Sequence, residues 1–351
     1  LTYIFIMNRS HFIKQSTLLA TGLACNPSWL FSKEGEDIIL GHNNKRYRID
    51  TKWGELDRNR YPVKDCHEMV QDSKGRIILL TNETKNNIII YDKKGKLISS
   101  WGHEYPGGHG LTLFDENGEE VLFICDNNRH QVIKTTLDGR VLLTLNYPKE
   151  TGEYSKEEEY IPTETTIAPN GDIYVADGYG KDFIIQYNYK GEYIRHWGGR
   201  GSSEKHLKNA HGICYDNRDK NNPVLMVTSR EEQAFKRYTT DGRYMDTIPV
   251  PGAWVCRPVI HGDYLYAAVL QSNSRLWQQS GFITILDKTN KVISNLSGST
   301  PAYNGTMADE MYQTIKVFQY PHDVCIDDEE NLYVAQWNSG QAYPYKLKPV
   351  L

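Results

Sequence analysis

The sequence predicts an all-β chain closed into a six-bladed β-propeller, and three observations predict it. One motif recurs along the chain: a turn, an apolar strand, a polar break, a second apolar strand, an x-Gly turn and a third strand. The copies have the length of roughly 40–50 residues that four-stranded propeller blades have. The 351 residues hold 24 Tyr, 7 Trp and 28 Gly against 6 Met, a balance that favours strands and tight turns over helices.

The copies follow in order. The first four span residues 72–102, 115–145, 168–198 and 216–247. In the first, Ser73-Lys74-Gly75 opens the copy, Ile77–Leu80 and Ile88–Tyr91 form its apolar strands, and Lys94-Gly95 turns into the third. Asn117-Gly118 and Asp138-Gly139 punctuate the second copy, Asn170-Gly171 and Lys190-Gly191 the third, and Asp241-Gly242 closes the fourth. Such dipeptides supply the φ > 0 positions of hairpin turns. A degenerate fifth copy covers roughly 259–296, and the last runs through Asp327–Ala335. One blade cannot bury both sheet faces, whereas six packed radially can. Residues 30–351 are therefore expected to form the propeller.

The first 25 residues read differently. Met7, Arg9 and Lys14 precede the small, apolar run Ser16–Cys25, the pattern of an export signal too short to span a bilayer. Gly22-Leu23-Ala24-Cys25 loosely resembles a lipoprotein cleavage box that would acylate Cys25. The expectation is an exported bacterial protein of the periplasm, touching a membrane only through a lipidated Cys25. No other segment offers the ~20 apolar residues of a transmembrane span. With 40 Lys+Arg against 44 Asp+Glu the formal charge is −4, which excludes the electrostatic footprint of a nucleic-acid binder. The other cysteines, Cys66, Cys125, Cys214, Cys256 and Cys325, are odd in number and lack a Cys-x-x-Cys pair; they read as buried free thiols.

Histidine recurs at one repeat position, in the innermost strand just ahead of the turn: His67, His109, His211 and His322. Their spacing along the chain is irregular, but a ring would point all four at its central channel. Nothing in blade packing demands imidazole there. Converging neutral imidazoles suit zinc, and three protein ligands leave a coordination position open for chemistry; a wet, metal-free channel is the alternative.

At these residues the chain resembles the peptidyl-α-hydroxyglycine α-amidating lyase family of six-bladed propellers with NHL-type repeats. The resemblance runs from about Cys66 to Lys348. It rests on His109-Gly110-Leu111, Val175-Ala176-Asp177-Gly178-Tyr179, Gln186-Tyr187 with Trp197-Gly198, Ala210-His211-Gly212, Ser229-Arg230-Glu231 and Tyr320-Pro321-His322-Asp323. It implies zinc on His109, His211 and His322, with His67 as a further candidate ligand that the family lacks. It also implies Tyr179 as catalytic base and Arg230 lining the pocket. A structural calcium is implied on the Asp323 carboxylate and the carbonyls of Met69 and Leu111. One departure stands out: Asn82 occupies the place of a family arginine, a neutral amide for an always-charged fork.

A retained metal scaffold, a changed anchor and an export signal together predict a zinc-dependent carbon–oxygen lyase of the dehydratase type. The expected substrate is an acidic, uronic-acid-containing oligosaccharide released in extracellular polysaccharide breakdown, or another small molecule. The alternatives are an amidating-type lyase acting on a hydroxyglycine substrate and a non-catalytic binding propeller.

Overall fold

The structure, a computed structural model, describes residues 38–273 and 278–350. The expected export signal and Cys25 lie outside the described residues. From Ile39 onward the chain forms one compact unit. Among the described residues the regular elements are strands, apart from 3₁₀ turns at Lys149–Thr151, Glu157–Glu159 and Arg230–Glu232. No helix among the described residues is long and apolar enough to cross a membrane.

The predicted six blades are present. Blade one is Cys66–Gln71, Ile77–Thr81, Ile88–Tyr91 and Leu97–Trp101, hydrogen-bonded in that order. Blades two to five repeat this antiparallel meander, with innermost strands Gly108–Glu116, Glu164–Ile167, Ile213–Asp216 and Ala253–His261. Blade six is different. Its strands Pro321–Ile326, Leu332–Gln336 and Tyr345–Pro349 are completed by Lys45–Asp50 and Ile39–His42, so both ends of the described chain share one sheet.

The core lies between blades. One apolar cluster joins Met69, Ile77 and Leu79 of blade one to Tyr333 and Ala335 of blade six; another joins Ile78 and Leu80 to Leu122 and Ile124 of blade two. These second strands bury both faces, which is why they read as continuous apolar runs rather than alternating ones. Outer strands such as Tyr244–Pro249 alternate between half-buried and exposed residues. Trp101 donates its ring N–H to the Leu137 carbonyl at 2.9 Å and lies against the turn at Gly139 of the next blade. The Trp197 ring likewise lies against Gly242 of the following blade. The five cysteines Cys66, Cys125, Cys214, Cys256 and Cys325 are free.

The innermost strands carry the feature that builds the site. The register of blade one slips between Cys66 and Glu68, that of blade two between Gly108 and Gly110, and that of blade six between Pro321 and Asp323. The extra residue at each slip is a histidine: His67, His109 and His322. A bulge breaks the strict alternation of a strand and re-aims its side chains. Blade five also slips, between Val255 and Pro258, at Cys256-Arg257.

Candidate metal centre

Two layers of side chains meet around the channel. The first holds His67, His109, Thr163, His211, Cys256 and His322 from blades one to six; the next residue in each blade gives Glu68, Gly110, Glu164, Gly212, Arg257 and Asp323. In the first layer, ring centroids of neighbouring imidazoles are 4.7 Å (His109–His322), 4.8 Å (His109–His211) and 4.9 Å (His211–His322) apart. His67 lies 4.9 Å from both His109 and His322. All four predicted histidines are thus together, each at most 5% exposed.

Their chemistry fits a metal. The Nδ1 atoms of His109 and His322 lie 2.8 and 3.1 Å from the carbonyls of Thr163 and His67. A carbonyl only accepts, so these Nδ1 atoms carry the proton and Nε2 keeps its lone pair. The Nδ1 atoms of His67 and His211 are buried with no hydrogen-bond partner among the described residues, so either ring nitrogen of these two can be the donor. Burial pushes His67 down to about 3 and holds His109, His211 and His322 well below the usual histidine range, with Arg230 adding to the effect at His211. Neutral imidazole is the form that binds metal. His67, His109 and His322 each offer a nitrogen within 4.8 Å of the others, and His211, Cys256 and His322 form a second such group. Buried neutral nitrogen donors of this kind suit zinc.

Tyr179 enters from the rim. It follows the blade-three strand Ile173–Ala176, between Gly178 and Gly180, where a Cβ would lie 2.2 Å from the Ala210 carbonyl and 2.1 Å from the Asp177 carboxylate. Asp177 fixes this loop by accepting from Ile161 N at 2.6 Å, Lys181 N at 2.7 Å and the Tyr154 hydroxyl at 2.7 Å. The Tyr179 oxygen lies 3.1 Å from Nε2 of His109 and 3.0 Å from Nε2 of His211, while its residue is 40% exposed overall. Tyr179 thus spans from the exposed surface to the buried histidines, its hydroxyl end against the imidazoles. Burial of the hydroxyl raises its pKa, and the adjacent Arg230 guanidinium pulls it back. Arg230 itself is buried, donating from Nε to the Val255 carbonyl at 3.1 Å and from Nη2 to Cys256 Sγ at 3.0 Å.

The second layer corrects the expected calcium site. Asp323 and the carbonyls of Met69 and Leu111 do converge, but on the Arg257 guanidinium. Nη2 reaches Asp323 Oδ2 at 2.8 Å and Met69 O at 3.1 Å, Nη1 reaches Leu111 O at 3.0 Å, and Nε reaches Asp323 Oδ1 at 3.1 Å. Glu68 and Glu164 face the same guanidinium at 3.4 and 3.7 Å. Burial, with Glu164 and Asp323 beside it, pushes the Glu68 carboxyl well above its ordinary range. The oxygens expected to hold calcium are taken, so that ion does not fit. Asn82, at the place of the family arginine, is engaged with Asp65: its Nδ2 donates to Oδ2 at 3.1 Å and its Oδ1 accepts from Asp65 N at 2.9 Å.

Sequence reasoning missed Cys256, Arg257 and Glu164. Blade five was read only from residue 259, just past the pair that matters; extending its copy backwards by the spacing of the other blades would have put Cys256 opposite the histidines.

Fold and site together define a class: a six-bladed propeller with a buried, histidine-lined axial centre. No family model matches the chain. Among curated proteins it is similar to peptidyl-α-hydroxyglycine α-amidating lyase 1 of Drosophila melanogaster, 31% identical over 195 residues, covering 53% of this chain and 30% of that protein. It is also similar to peptidyl-glycine α-amidating monooxygenase B of Xenopus laevis, 24% identical over 268 residues, 74% of this chain and 29% of that one. The matched segments span about 30% of the length of these relatives. Among solved structures, a gluconolactonase from Xanthomonas campestris superimposes with a TM-score of 0.60 at 11% identity, covering 90% of this chain and 95% of that one; at that identity the likeness is one of fold. The chain is a lyase-like propeller similar to the amidating lyases.

Proposed function

We propose that the protein is a metal-dependent lyase of the amidating type, cleaving an N-acyl-α-hydroxyglycine to the corresponding amide and glyoxylate. The observation that carries this reading is the Tyr179 hydroxyl held 3.0–3.1 Å from two imidazole nitrogens of a buried donor cluster. The amidating-lyase names of the curated relatives support it. The uronic-acid reading predicted from sequence has no such support, and Asn82, which motivated it, is occupied by Asp65.

Donors drawn from His67, His109, His211 and His322 would hold the metal. A zinc ion bound there supplies Lewis-acid polarisation of a substrate oxygen. Tyr179 takes the proton of the substrate hydroxyl; the C–O bond becomes a carbonyl as the C–N bond breaks, and Tyr179 returns the same proton to the departing amide nitrogen. Arg230 favours the phenolate form of Tyr179 by its charge, and the apolar inter-blade packing keeps the imidazoles dry and neutral. The signal-like pattern of residues 1–25 supports an exported enzyme.

The test is glyoxylate release from an N-acyl-α-hydroxyglycine by the zinc-reconstituted protein. His211→Ala is expected to lose metal and activity together, and Tyr179→Phe to keep the metal while turnover falls by about 10²–10⁴-fold. No glyoxylate from fully loaded protein, with loss of water from uronyl oligosaccharides instead, would overturn the reading.

A further inference from the structure

We infer that the guanidinium of Arg257 is the built-in cation of the channel's second layer, standing where the amidating-lyase resemblance implies calcium, and that the ring closes without that ion. Calcium takes six to eight oxygens at about 2.3–2.6 Å. Here both Asp323 oxygens and the carbonyls of Met69 and Leu111 instead accept hydrogen bonds of 2.8–3.1 Å from one planar fork, the bidentate geometry that guanidinium makes with a carboxylate. Asp323 Oδ2 also accepts from Met69 N at 2.9 Å. A calcium ion placed on these oxygens would displace the fork and repel it at contact distance.

The surrounding residues are built for an arginine. Blade five carries it on the slip between Val255 and Pro258. Blade four yields the space: a Cβ on Gly212 would lie 2.5 Å from the Cα of Arg257 and 3.0 Å from its nitrogen. From blade five the fork bonds to Met69 of blade one, Leu111 of blade two and Asp323 of blade six, and it faces Glu164 of blade three. One side chain thus ties together blades whose members lie 66 to 188 residues away in sequence. The inference does not depend on which substrate the enzyme takes.

The experiment measures calcium content and thermal midpoints of zinc-reconstituted protein. Wild type is expected to retain no calcium after desalting and to melt at the same temperature with or without millimolar calcium. Arg257→Ala is expected to melt about 6–10 °C lower and to recover part of the loss in millimolar calcium, not magnesium, because the freed oxygens then accept the ion. Arg257→Lys keeps the charge without the fork, falls between the two, and supplies the reading if the alanine variant does not fold. One equivalent of calcium retained by wild type with a raised midpoint, or substitution of Arg257 without loss of stability, would overturn the inference. Zinc content of the same samples is measured separately, so a failed lyase assay leaves this result untouched.

Discussion

Four imidazoles kept neutral by burial make the protein's stability sensitive to acid. Their folded pKa values are depressed, to about 3 at His67 and well below the ordinary value at the other three, while in the unfolded chain they titrate near 6.5. The unfolded state therefore binds more protons below about pH 6.5. The stability these groups contribute is complete above that pH and is lost as pH falls toward the folded values, by up to about 1.4 kcal/mol per pH unit per imidazole. Metal-stripped protein should melt markedly lower at about pH 5 than at about pH 7.5, and His322→Gln should show a shallower slope; a flat profile would mean that the rings titrate normally. A metal held by these nitrogens would steepen the profile, since protons and metal compete for the same lone pairs. At this scale the sequence was informative wherever a residue type was improbable. Histidine at a strand position stands out four times over, whereas Cys256 looks like any buried thiol and Glu164 like any strand-end carboxylate until a ring brings them to an axis.

Innermost strands are the elements on which everything turns, and their slips and glycines explain why. Six strands converging on one channel lack room for six large second-layer side chains, so blades two and four carry Gly110 and Gly212 there. A Cβ on Gly110 would lie 2.5 Å from the Thr163 carbonyl, and one on Gly212 meets the Arg257 backbone. Backbone cannot give way as a flexible side chain can. Gly212→Ala should therefore cost about 1–3 kcal/mol in denaturant unfolding and lower zinc content as His211 and blade five are pushed apart. An alanine variant with unchanged midpoint and metal content would contradict this account. Turns and second strands were legible beforehand because Asn-Gly, Lys-Gly and Asp-Gly punctuate apolar runs. The slips at His67, His109 and His322 were not, because an extra residue in a strand leaves no mark in composition and shows only when two strands are laid side by side.

The ring as a whole is held shut by a mixed blade. Tyr47 pairs with Pro349, Ile49 with Leu347 and Asp50 with Lys346, and Leu40 and Tyr47 are each 1% exposed. A variant lacking residues 1–50 would lose those two buried side chains and leave Tyr345–Pro349 as an open edge. It should lose about 5 kcal/mol or more, from two buried side chains and a strand ladder, and self-associate in size-exclusion chromatography; a monomer of unchanged stability would argue against closure at this seam. The repeats announced six blades, but the single hairpin Ile39–His42 and Lys45–Asp50, turning at Asn43-Asn44, lacks the multi-strand pattern of a copy, so its place in the last blade was not legible. Closure also sets when the centre can exist. His322 Nδ1 meets the carbonyl of His67 across 255 positions of chain, and neither layer is whole until the final blade docks. Until that contact forms, the four imidazoles of blades one, two, four and six share no common axis, so the cluster comes into being in one step, with completion of the circle.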